Sequence, residues 1–282
     1  MARMTIGLLH PGEMGSALGA LLTQRGVRVL WASAGRSAAT RSRAATLEEV
    51  RTLRELVQAS EFILSVCPPH AALDMAQQVA AHRFAGAYAD LNAISPETAR
   101  AIGRVIEGAG MRFIDGGIVG PPPATPGTTR LYLAGPEAGR LASLFQGSAL
   151  EVIVLDGPIG AASALKVAYA AYTKGTAALL LAIRALAIRE GVDAALRQEW
   201  ARSLPELASR GDKALGGSIR KAWRFVGEME ENAATFVAAG LPSGFSAAAA
   251  EVYRRLAGYK DATALPPVVE IAAALAKEKQ GN

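Results

Sequence analysis

Short apolar runs alternate with helical patterns over the first half of the chain. The apolar runs are typical of buried strands, and the stretches between them carry apolar residues three or four positions apart, which is typical of helices. The candidate strands are TIGLLH (5–10), VRVLWAS (27–33), EFILSV (61–66), AYADLN (87–92), RFIDGGIV (112–119), RLYLAG (130–135) and EVIVLD (151–156). The helical patterns fall near 14–25, 37–45, 47–58, 70–80, 96–109 and 136–145. This alternation predicts a parallel sheet with helices on both faces.

The pattern becomes helical after residue 157. Residues 161–190 contain no proline and predict one helix of about 45 Å. Arg184 interrupts its most apolar part, which favours a buried helix over a membrane span. Further helices are predicted near 193–208, 211–240 with a break at Gly216–Gly217, 243–257 and 266–278. We therefore predict an N-terminal Rossmann-like doubly wound α/β sheet over 1–157 and an all-helical domain over 158–282 that begins with the long helix.

Composition and charge narrow the function classes. The 282 residues are 51% hydrophobic and 20% charged, and the net charge of +5 is scattered along the chain, which does not favour nucleic-acid binding. Cys67 is the single cysteine, so no internal disulfide can form. The N-terminal residues show no signal-peptide pattern, and a cytoplasmic protein is expected. His70 and His82 have no neighbours at a metal-ligand spacing, so no metal site is expected.

The stretch TIGLLHPGEMGSALG, residues 5–19, resembles a dinucleotide phosphate loop. His10 replaces the first glycine of the G-x-G-x-x-G pattern, whereas Gly12 and Gly15 keep the second and third positions. These two glycines let the backbone approach a pyrophosphate and let the helix pack on the strand. Because His10 precedes a proline, we expect extended geometry there, without the positive φ of a glycine.

The N–H groups of Gly12, Glu13 and Met14 are predicted to bind an anion at the helix N-terminus. An ordinary strand-to-helix bend without a ligand is the alternative. After the second strand no acid stands where an NAD site places one for the ribose hydroxyls. Ser33, Arg36 and Ser37 stand there instead, followed by further arginines. Hydroxyls and a guanidinium suit a 2′-phosphate, which predicts NADP (NADPH) in preference to NAD, while a solvated basic turn is the alternative.

Five segments, in order along nearly the whole chain, resemble motifs of the β-hydroxyacid dehydrogenase superfamily, which includes 3-hydroxyisobutyrate and 6-phosphogluconate dehydrogenases. The segments are IGLLHPGEMGSALG (6–19), FILSVCPPHAA (62–72), ADLNAISPETA (89–99), FIDGGIVGPPPATPGTTRLYLAG (113–135) and GPIGAASALKVAYAAYTKG (157–175). The resemblance implies a 6-phosphogluconate-dehydrogenase-like helical domain, a small-molecule substrate and a homodimer. It also implies that the second segment passes under the riboses of the cofactor.

Lys166 is the one charge in AASALKVAYAAY, on a helix face shared with Tyr169 and Thr173. Burial disfavours a charged lysine, which would let Lys166 exchange a proton near neutral pH. From the residues alone, a lysine whose ammonium reaches water is the alternative. The resemblance assigns Lys166 to the family's catalytic general acid/base.

The chain departs from the family pattern at several substrate positions. Ala170 replaces an asparagine, Val119-Gly120-Pro121 replaces Ser-Gly-Gly, and Asn92-Ala93 replaces Ser-Thr. The substrate is therefore expected to be larger or less polar than 3-hydroxyisobutyrate or 6-phosphogluconate. The candidate substrate-binding residues are Asn92, Val119, Gly120, Tyr169, Thr173 and Lys174. The candidate cofactor-binding residues are His10, Pro11, Gly12, Glu13, Met14, Ser33, Arg36, Ser37, Val66, Cys67, Pro68 and Asn92.

The leading prediction is an NADP-dependent oxidoreductase that interconverts a hydroxy acid and its oxo form. One alternative is an imine reductase of the same fold, although family members of that kind tend to lack the lysine. The other alternative is a non-catalytic NADP-binding or sensor protein, since several polar substrate groups are missing.

Overall fold

The computed structural model describes residues 4–82, 85–207, 217–260 and 262–276. The chain divides into two compact units, Met1–Val167 and Ala168–Asn282. Their boundary lies inside a helix, later than the predicted domain boundary at 157. The predicted break at Gly216–Gly217 and parts of the helices predicted over 193–208, 211–240 and 266–278 fall outside the described residues.

The first unit contains the strands that the apolar runs predicted and one more. The strands are β1 (Thr5–Leu9), β2 (Arg28–Ala32), β3 (Glu48–Val50), β4 (Phe62–Ser65), β5 (Ala87–Asp90), β6 (Arg112–Val119), β7 (Thr129–Ala134) and β8 (Leu150–Val154). The helices between them are α1 (Glu13–Gln24), α2 (Ala38–Arg43), α3 (Leu53–Ala59), α4 (Ala72–Ala80), α5 (Pro96–Gly108) and α6 (Ala138–Ser143), with a 3₁₀ turn at Pro69–Ala71.

The helix predicted over 47–58 was wrong in its first part, where β3 forms. Glu48 and Glu49 are exposed on this short edge strand, so no apolar run marks it in the sequence. Thr52 then caps α3: its hydroxyl accepts from the N–H of Glu55, whose carboxylate accepts from the N–H of Thr52. This reciprocal cap starts the helix after the strand rather than before it.

The eight strands form one sheet in the order β3-β2-β1-β4-β5-β6-β7-β8. All neighbours are parallel except β6 and β7, which are antiparallel. The predicted parallel sheet is therefore confirmed for the other neighbours, and this pair is the exception. The connection over residues 120–128 contains no helix, and a parallel return needs a longer crossover connection, usually helical.

Apolar side chains cover both faces of the sheet, because successive residues of a strand point to opposite sides. On one face Ile6 and Leu8 of β1 pack with Leu18 and Leu22 of α1. On the other face the strands pack with α3, α4 and α5, and Tyr88 lies fully buried there. Both layers together confirm the predicted doubly wound Rossmann-like domain.

The second unit consists of helices and their connections, with no strand among its described residues. Its helices are the later part of α7 (Ala161–Arg189), α8 (Asp193–Ser203), α9 (Ala222–Ala238), α10 (Gly244–Leu256) and α11 (Val268–Ala276). Its core includes Met229, Tyr253 and Leu256, and the Tyr253 ring packs edge-on against Phe225. The long helix predicted over 161–190 is confirmed.

Among the described residues, α7 is long and apolar enough to cross a membrane by length and composition alone. The core helix of a soluble protein passes the same test, so this is weak evidence for a span. Arg184 of α7 is buried and forms an ion pair with Asp193, with 2.5 Å between the guanidinium and the carboxylate.

Candidate functional site

The predicted cofactor residues of the first unit lie at the carboxyl edge of the parallel strands. In the sheet order, β1 stands between β2 and β4. After β1 the chain continues to β2 on one side, and after β4 it continues to β5 on the other side, so the strand order reverses between β1 and β4. Open α/β sheets bind ligands in the crevice at such a switch point. The loops that reach this edge follow Leu9, Ala32, Ser65, Asp90 and Val119.

The turn after β1 is built around His10, whose φ is 60°. The expectation that His10 avoids a positive φ is therefore wrong. The chain must reverse between β1 and α1, and this reversal requires left-handed backbone at His10 although a proline follows it. The carbonyl of His10 also accepts a 2.7 Å hydrogen bond from the N–H of Gly12. A non-glycine residue in this region costs about 1–2 kcal/mol.

The carbonyl of His10 also explains Gly15. A Cβ on Gly15 would stand 2.8 Å from this oxygen and 3.6 Å from the Cβ of Val66. Gly15 therefore lets α1 approach the end of β1 closely, as the third glycine of a dinucleotide loop does. Gly12 differs, because a Cβ there would have its nearest neighbour at 4.0 Å and the φ of Gly12 is −73°.

Neither the backbone conformation nor protein packing thus requires glycine at position 12. The N–H of Gly12 is used by His10, which corrects the prediction that it is available to an anion. Among the described residues, the N–H groups of Glu13, Met14 and Gly15 have no acceptor, as expected for the first turn of a helix. Three N–H donors beside open space at Gly12 fit a pyrophosphate.

The imidazole of His10 is half-buried at this turn. Burial, together with the positive charge of Arg36, lowers the pKa of His10 to about 4, so the ring is neutral at physiological pH. Its Nδ1 is buried and has no hydrogen-bond partner among the described residues. Burial also raises the pKa of the Cys67 thiol to about 11, so Cys67 carries no charge beside Arg36.

The end of β2 carries the residues predicted for a 2′-phosphate. Ser33 is buried, Arg36 is half-buried, and Ser37 caps α2 by accepting from the N–H of Thr40. Arg36 has no acidic partner within the described part of the chain. The sequence places no acid directly after β2, but the fold brings one there from another strand. Glu49 of β3 lies beside Ser33 and pairs with Arg41.

Asn92 lies at the end of β5 and is only 3% exposed. Its amide donates to the Asp90 carboxylate at 2.8 Å and to the Ser65 hydroxyl at 3.1 Å, and its oxygen accepts from the N–H of Cys67 at 2.6 Å. Both amide protons are thus used within the protein. Asn92 thus connects the ends of β4 and β5. Only its side-chain oxygen can accept a further hydrogen bond from a ligand.

Asp90 and Asp115 are buried carboxyl groups that the sequence reading did not assign. Asp90 accepts from the backbone and side-chain N–H groups of Asn92, but complete burial raises the pKa of Asp90 to about 7. Asp115 caps the N-terminus of α7 and accepts from the N–H groups of Gly160, Ala162 and Ser163 and from the Ser163 hydroxyl. Both aspartates stand within apolar runs that predict buried strands, and a buried acid needs hydrogen-bond donors. This was the signal in the sequence that could have identified them.

The cap places Lys166 one turn further along α7, where its ammonium donates a short hydrogen bond to the carbonyl of Ile118. Gly117 makes this approach possible, since a Cβ there would lie 2.8 Å from the carbonyl oxygen of Ala162 and 3.0 Å from the Cβ of Lys166. The lysine therefore lies at the carboxyl end of β6, directly before Val119 and Gly120. Gly120 has a φ of 124°, and a Cβ there would stand 2.3 Å from the carbonyl oxygen of Thr128.

The remaining predicted substrate residues belong to the second unit. Tyr169 is 47% exposed, and its carbonyl accepts from the hydroxyl of Thr173 at 2.9 Å. Lys174 forms an ion pair with Glu228, and its ammonium lies 4.7 Å from the centre of the Phe225 ring. Their predicted substrate roles stay predictions. Among the described residues, no group of three or more His, Cys, Asp or Glu side chains could hold a metal ion.

Comparisons with known protein families match both parts of the chain. The family described as the NAD binding domain of 6-phosphogluconate dehydrogenase matches residues 5–153, which is more than half of the chain. A domain of unknown function, DUF1932, matches residues 187–256.

Individual proteins give the same picture. An uncharacterized 28.5 kDa protein of Methanothermus fervidus is 29% identical over 191 residues, 67% of this chain and 73% of that protein. A conserved protein of unknown function, whose structure is described as similar to 3-hydroxyacid dehydrogenases, is 26% identical over 91% of this chain and 98% of its own, with a TM-score of 0.69. The Mycobacterium tuberculosis 3-hydroxyisobutyrate dehydrogenase solved with L-serine shares the fold, at 21% identity and a TM-score of 0.71 over 98% and 100% of the two chains.

Proposed function

This chain belongs to the family of the NAD binding domain of 6-phosphogluconate dehydrogenase, and from that premise we propose that it is an NADP-dependent oxidoreductase. The proposed reaction interconverts a hydroxy acid, or a related alcohol, and its oxo form. The observation that carries the proposal is the position of Lys166, whose ammonium lies at the carboxyl end of β6 in the same unit as the phosphate loop.

The proposed cofactor is held by the loop of β1 and α1 and by the end of β2. Three N–H groups at the start of α1 receive the pyrophosphate, and neutral His10 adds no charge beside them. Arg36 and the hydroxyl of Ser37, with Ser33 beside them at the end of β2, favour a 2′-phosphate, which supports NADP over NAD. The loop Val66–Pro68, fixed by the bond from the Cys67 N–H to Asn92, borders the same edge.

When bound, the nicotinamide supplies or accepts the hydride. Lys166 would donate a proton to the carbonyl oxygen in the reduction and would accept one from the hydroxyl in the oxidation. The carbonyl of Ile118 fixes the direction of its ammonium, and Gly117 keeps the helix close enough for this contact. Val119 and Gly120, which follow Ile118, are the proposed substrate neighbours in this unit.

Dinucleotide binding and turnover are tested separately. The dissociation constants of NADPH and NADH are measured by fluorescence titration, and tighter binding of NADH would refute the cofactor assignment. NADPH oxidation is then screened with oxo acids, aldehydes and imines. In the Lys166→Met variant we expect turnover to fall on the order of a hundredfold with an unchanged affinity for NADPH.

The exposed Lys221 provides the matched control, since Lys221→Met removes a lysine charge outside the proposed site. Turnover that survives Lys166→Met would remove this lysine from its role. Activity with imines alone would favour the imine reductase alternative. NADPH binding without turnover of any class would favour the non-catalytic alternative.

We further propose a homodimer in the cytoplasm, formed through α7. Tyr172, Leu179 and Leu186 follow one another seven residues apart on this helix, and they are 61%, 60% and 61% exposed. A stripe of this spacing is typical of a helix that packs against another helix. Light scattering should give the mass of a dimer, and Leu179→Glu should shift it to that of a monomer. A monomeric wild type would refute this assembly.

A further inference from the structure

An ion pair joins α2 to β3 beside the end of β2. The guanidinium of Arg41 lies 2.6 Å from the carboxylate of Glu49 and also donates to the carbonyl of Ser33 at 3.3 Å. Hydrogen bonds from the Ser33 hydroxyl and from Arg41 hold the pKa of Glu49 below its usual value, so Glu49 is ionised at neutral pH. Both side chains of the pair are about half exposed, at 47% and 49%.

The pair borders an open surface cavity of about 660 Å³. The cavity is lined by Ser33, Ala34, Arg41, Glu49, Val50 and Arg51. Apart from Arg41 of α2, these residues lie at the carboxyl ends of β2 and β3. The backbone after β2 continues alongside β3 through the bonds from the Ser33 N–H to Val50 and from the Ala34 N–H to Arg51. In a dinucleotide fold this edge receives the adenosine ribose.

An acid at this edge has two opposite effects on the two cofactors. Its oxygens accept hydrogen bonds from the 2′- and 3′-hydroxyls of NAD, and its charge repels the 2′-phosphate of NADP. Glu49 reaches this position from β3 rather than from β2. Whether Glu49 acts as such an acid depends on the charge beside it, because Arg41 offsets its negative charge and already donates to one of its two oxygens.

We propose that Arg41 determines the cofactor specificity of the site through Glu49. By pairing with the carboxylate, Arg41 stops Glu49 from binding ribose hydroxyls and from repelling a 2′-phosphate. The cavity then keeps the positive charge of Arg51, and Arg36 has no acidic partner in the described part of the chain. This inference rests on the proposed function, because it concerns the choice between the two dinucleotides.

The test is a double-mutant cycle read by binding, without turnover. Dissociation constants of NADPH and NADH are measured by fluorescence titration at low salt for the wild type, Arg41→Ala, Glu49→Gln and the double variant. Arg41→Ala should weaken NADPH binding on the order of fivefold and leave NADH binding equal or tighter, because the released Glu49 is exposed and only partly screened. In the double variant, NADPH affinity should return toward the wild-type value.

The return of affinity separates this proposal from a direct contact. If Arg41 bound the 2′-phosphate itself, the double variant would stay as weak as Arg41→Ala, and that result would overturn the role of Glu49. Arg28 and Glu48 provide the matched control, since this exposed pair also reaches β3 but joins it to the amino end of β2, with 2.8 Å between Nε and the carboxylate. Glu48→Gln should leave the ratio of the two dissociation constants unchanged.

The outcomes also distinguish failure of the proposed NADP-dependent function from failure of the proposed role of Arg41. A wild type that binds neither dinucleotide, or that prefers NADH, would overturn the proposed function and this inference with it. A wild type that prefers NADPH, with the same ratio in Arg41→Ala, would overturn this inference alone. At 0.5 M salt the difference between wild type and Arg41→Ala should shrink, because exposed charges are screened within about 5 Å at such ionic strength.

Discussion

Gly12 and Gly15 stand three residues apart in the phosphate loop, but the structure gives them different reasons to be glycine. Gly15→Ala places a methyl group 2.8 Å from the backbone oxygen of His10, which cannot move aside as the end of a flexible side chain can. Gly12→Ala meets its nearest atom at 4.0 Å and keeps a φ that any residue adopts. We therefore expect Gly15→Ala to lower stability and Gly12→Ala to lower cofactor affinity.

The magnitudes follow from these two distances. Overpacking of this kind costs about 1–3 kcal/mol, and the better helix propensity of alanine returns part of it, so a net loss of about 1–2 kcal/mol is expected. For a domain of this size that corresponds to a fall in melting temperature of about 2–8 °C. Alanine at the helix cap in Gly12→Ala costs on the order of 1 kcal/mol or less. Its methyl group, however, would occupy the space proposed for the pyrophosphate, and NADPH affinity should fall about tenfold or more.

Unfolding of the first unit is best followed through Trp31, which is buried in its core and 2% exposed. In a background where Trp200 and Trp223 are replaced by phenylalanine, its fluorescence reports that unit without a contribution from the second. NADPH titration is run on the same proteins. If Gly12→Ala loses as much stability as Gly15→Ala, or keeps wild-type affinity for NADPH, the assignment of the two glycines is refuted.

Three further predictions concern buried or strained groups of the first unit. His10→Gly should be more stable than His10→Ala by about 1 kcal/mol in thermal unfolding, since both lose the imidazole and only glycine tolerates the positive φ; equal stability would contradict the strain at His10. Asp115→Asn should lower the free energy of unfolding by about 2–3 kcal/mol, because one carboxylate oxygen accepts from three N–H groups of α7; a loss no larger than that of Ser163→Ala would argue against the cap. Because burial raises the pKa of Asp90 to about 7, the folded chain holds a proton that the unfolded chain releases near pH 4, and the free energy of unfolding should fall by up to about 4 kcal/mol as the pH rises from 4 to 7. Asp90→Asn should flatten this profile in denaturant titrations, leaving the contribution that Asp115 makes in the same direction. Parallel profiles of the two proteins would refute the role of Asp90.

Most strands and the long helix were predictable because their signals are local. The run RFIDGGIV predicts β6 residue for residue, and α7 starts and ends within one residue of the predicted limits. The edge strand β3 was missed, since its two glutamates face water and carry no apolar pattern. The reversed direction of β7 was missed as well, because strand direction depends on the connection rather than on the strand.

The candidate site likewise contains some features that the sequence predicted and others that it did not. The phosphate loop and Lys166 stand in recognisable segments, and their surroundings in the sequence indicate their chemistry. The conformation of His10 was predicted wrongly, because the rule for residues before proline is weaker than the need of the chain to turn back from β1 into α1. The bonds that Asn92 makes to the end of β4 and the cap of Asp115 were missed, because their partners lie 25 to 48 residues away along the chain.

The sequence by itself determined all strands but β3, the doubly wound domain, the helical domain and the nucleotide loop, since hydrophobic period and turn chemistry act between near neighbours. Only the tertiary structure decided which charges meet. Glu49 lies sixteen residues after Ser33, yet the parallel pairing of β2 and β3 places it beside the end of β2. A site that lacks an acid in the sequence therefore contains one in space, because strand pairing and not sequence distance sets the electrostatics of the sheet edge.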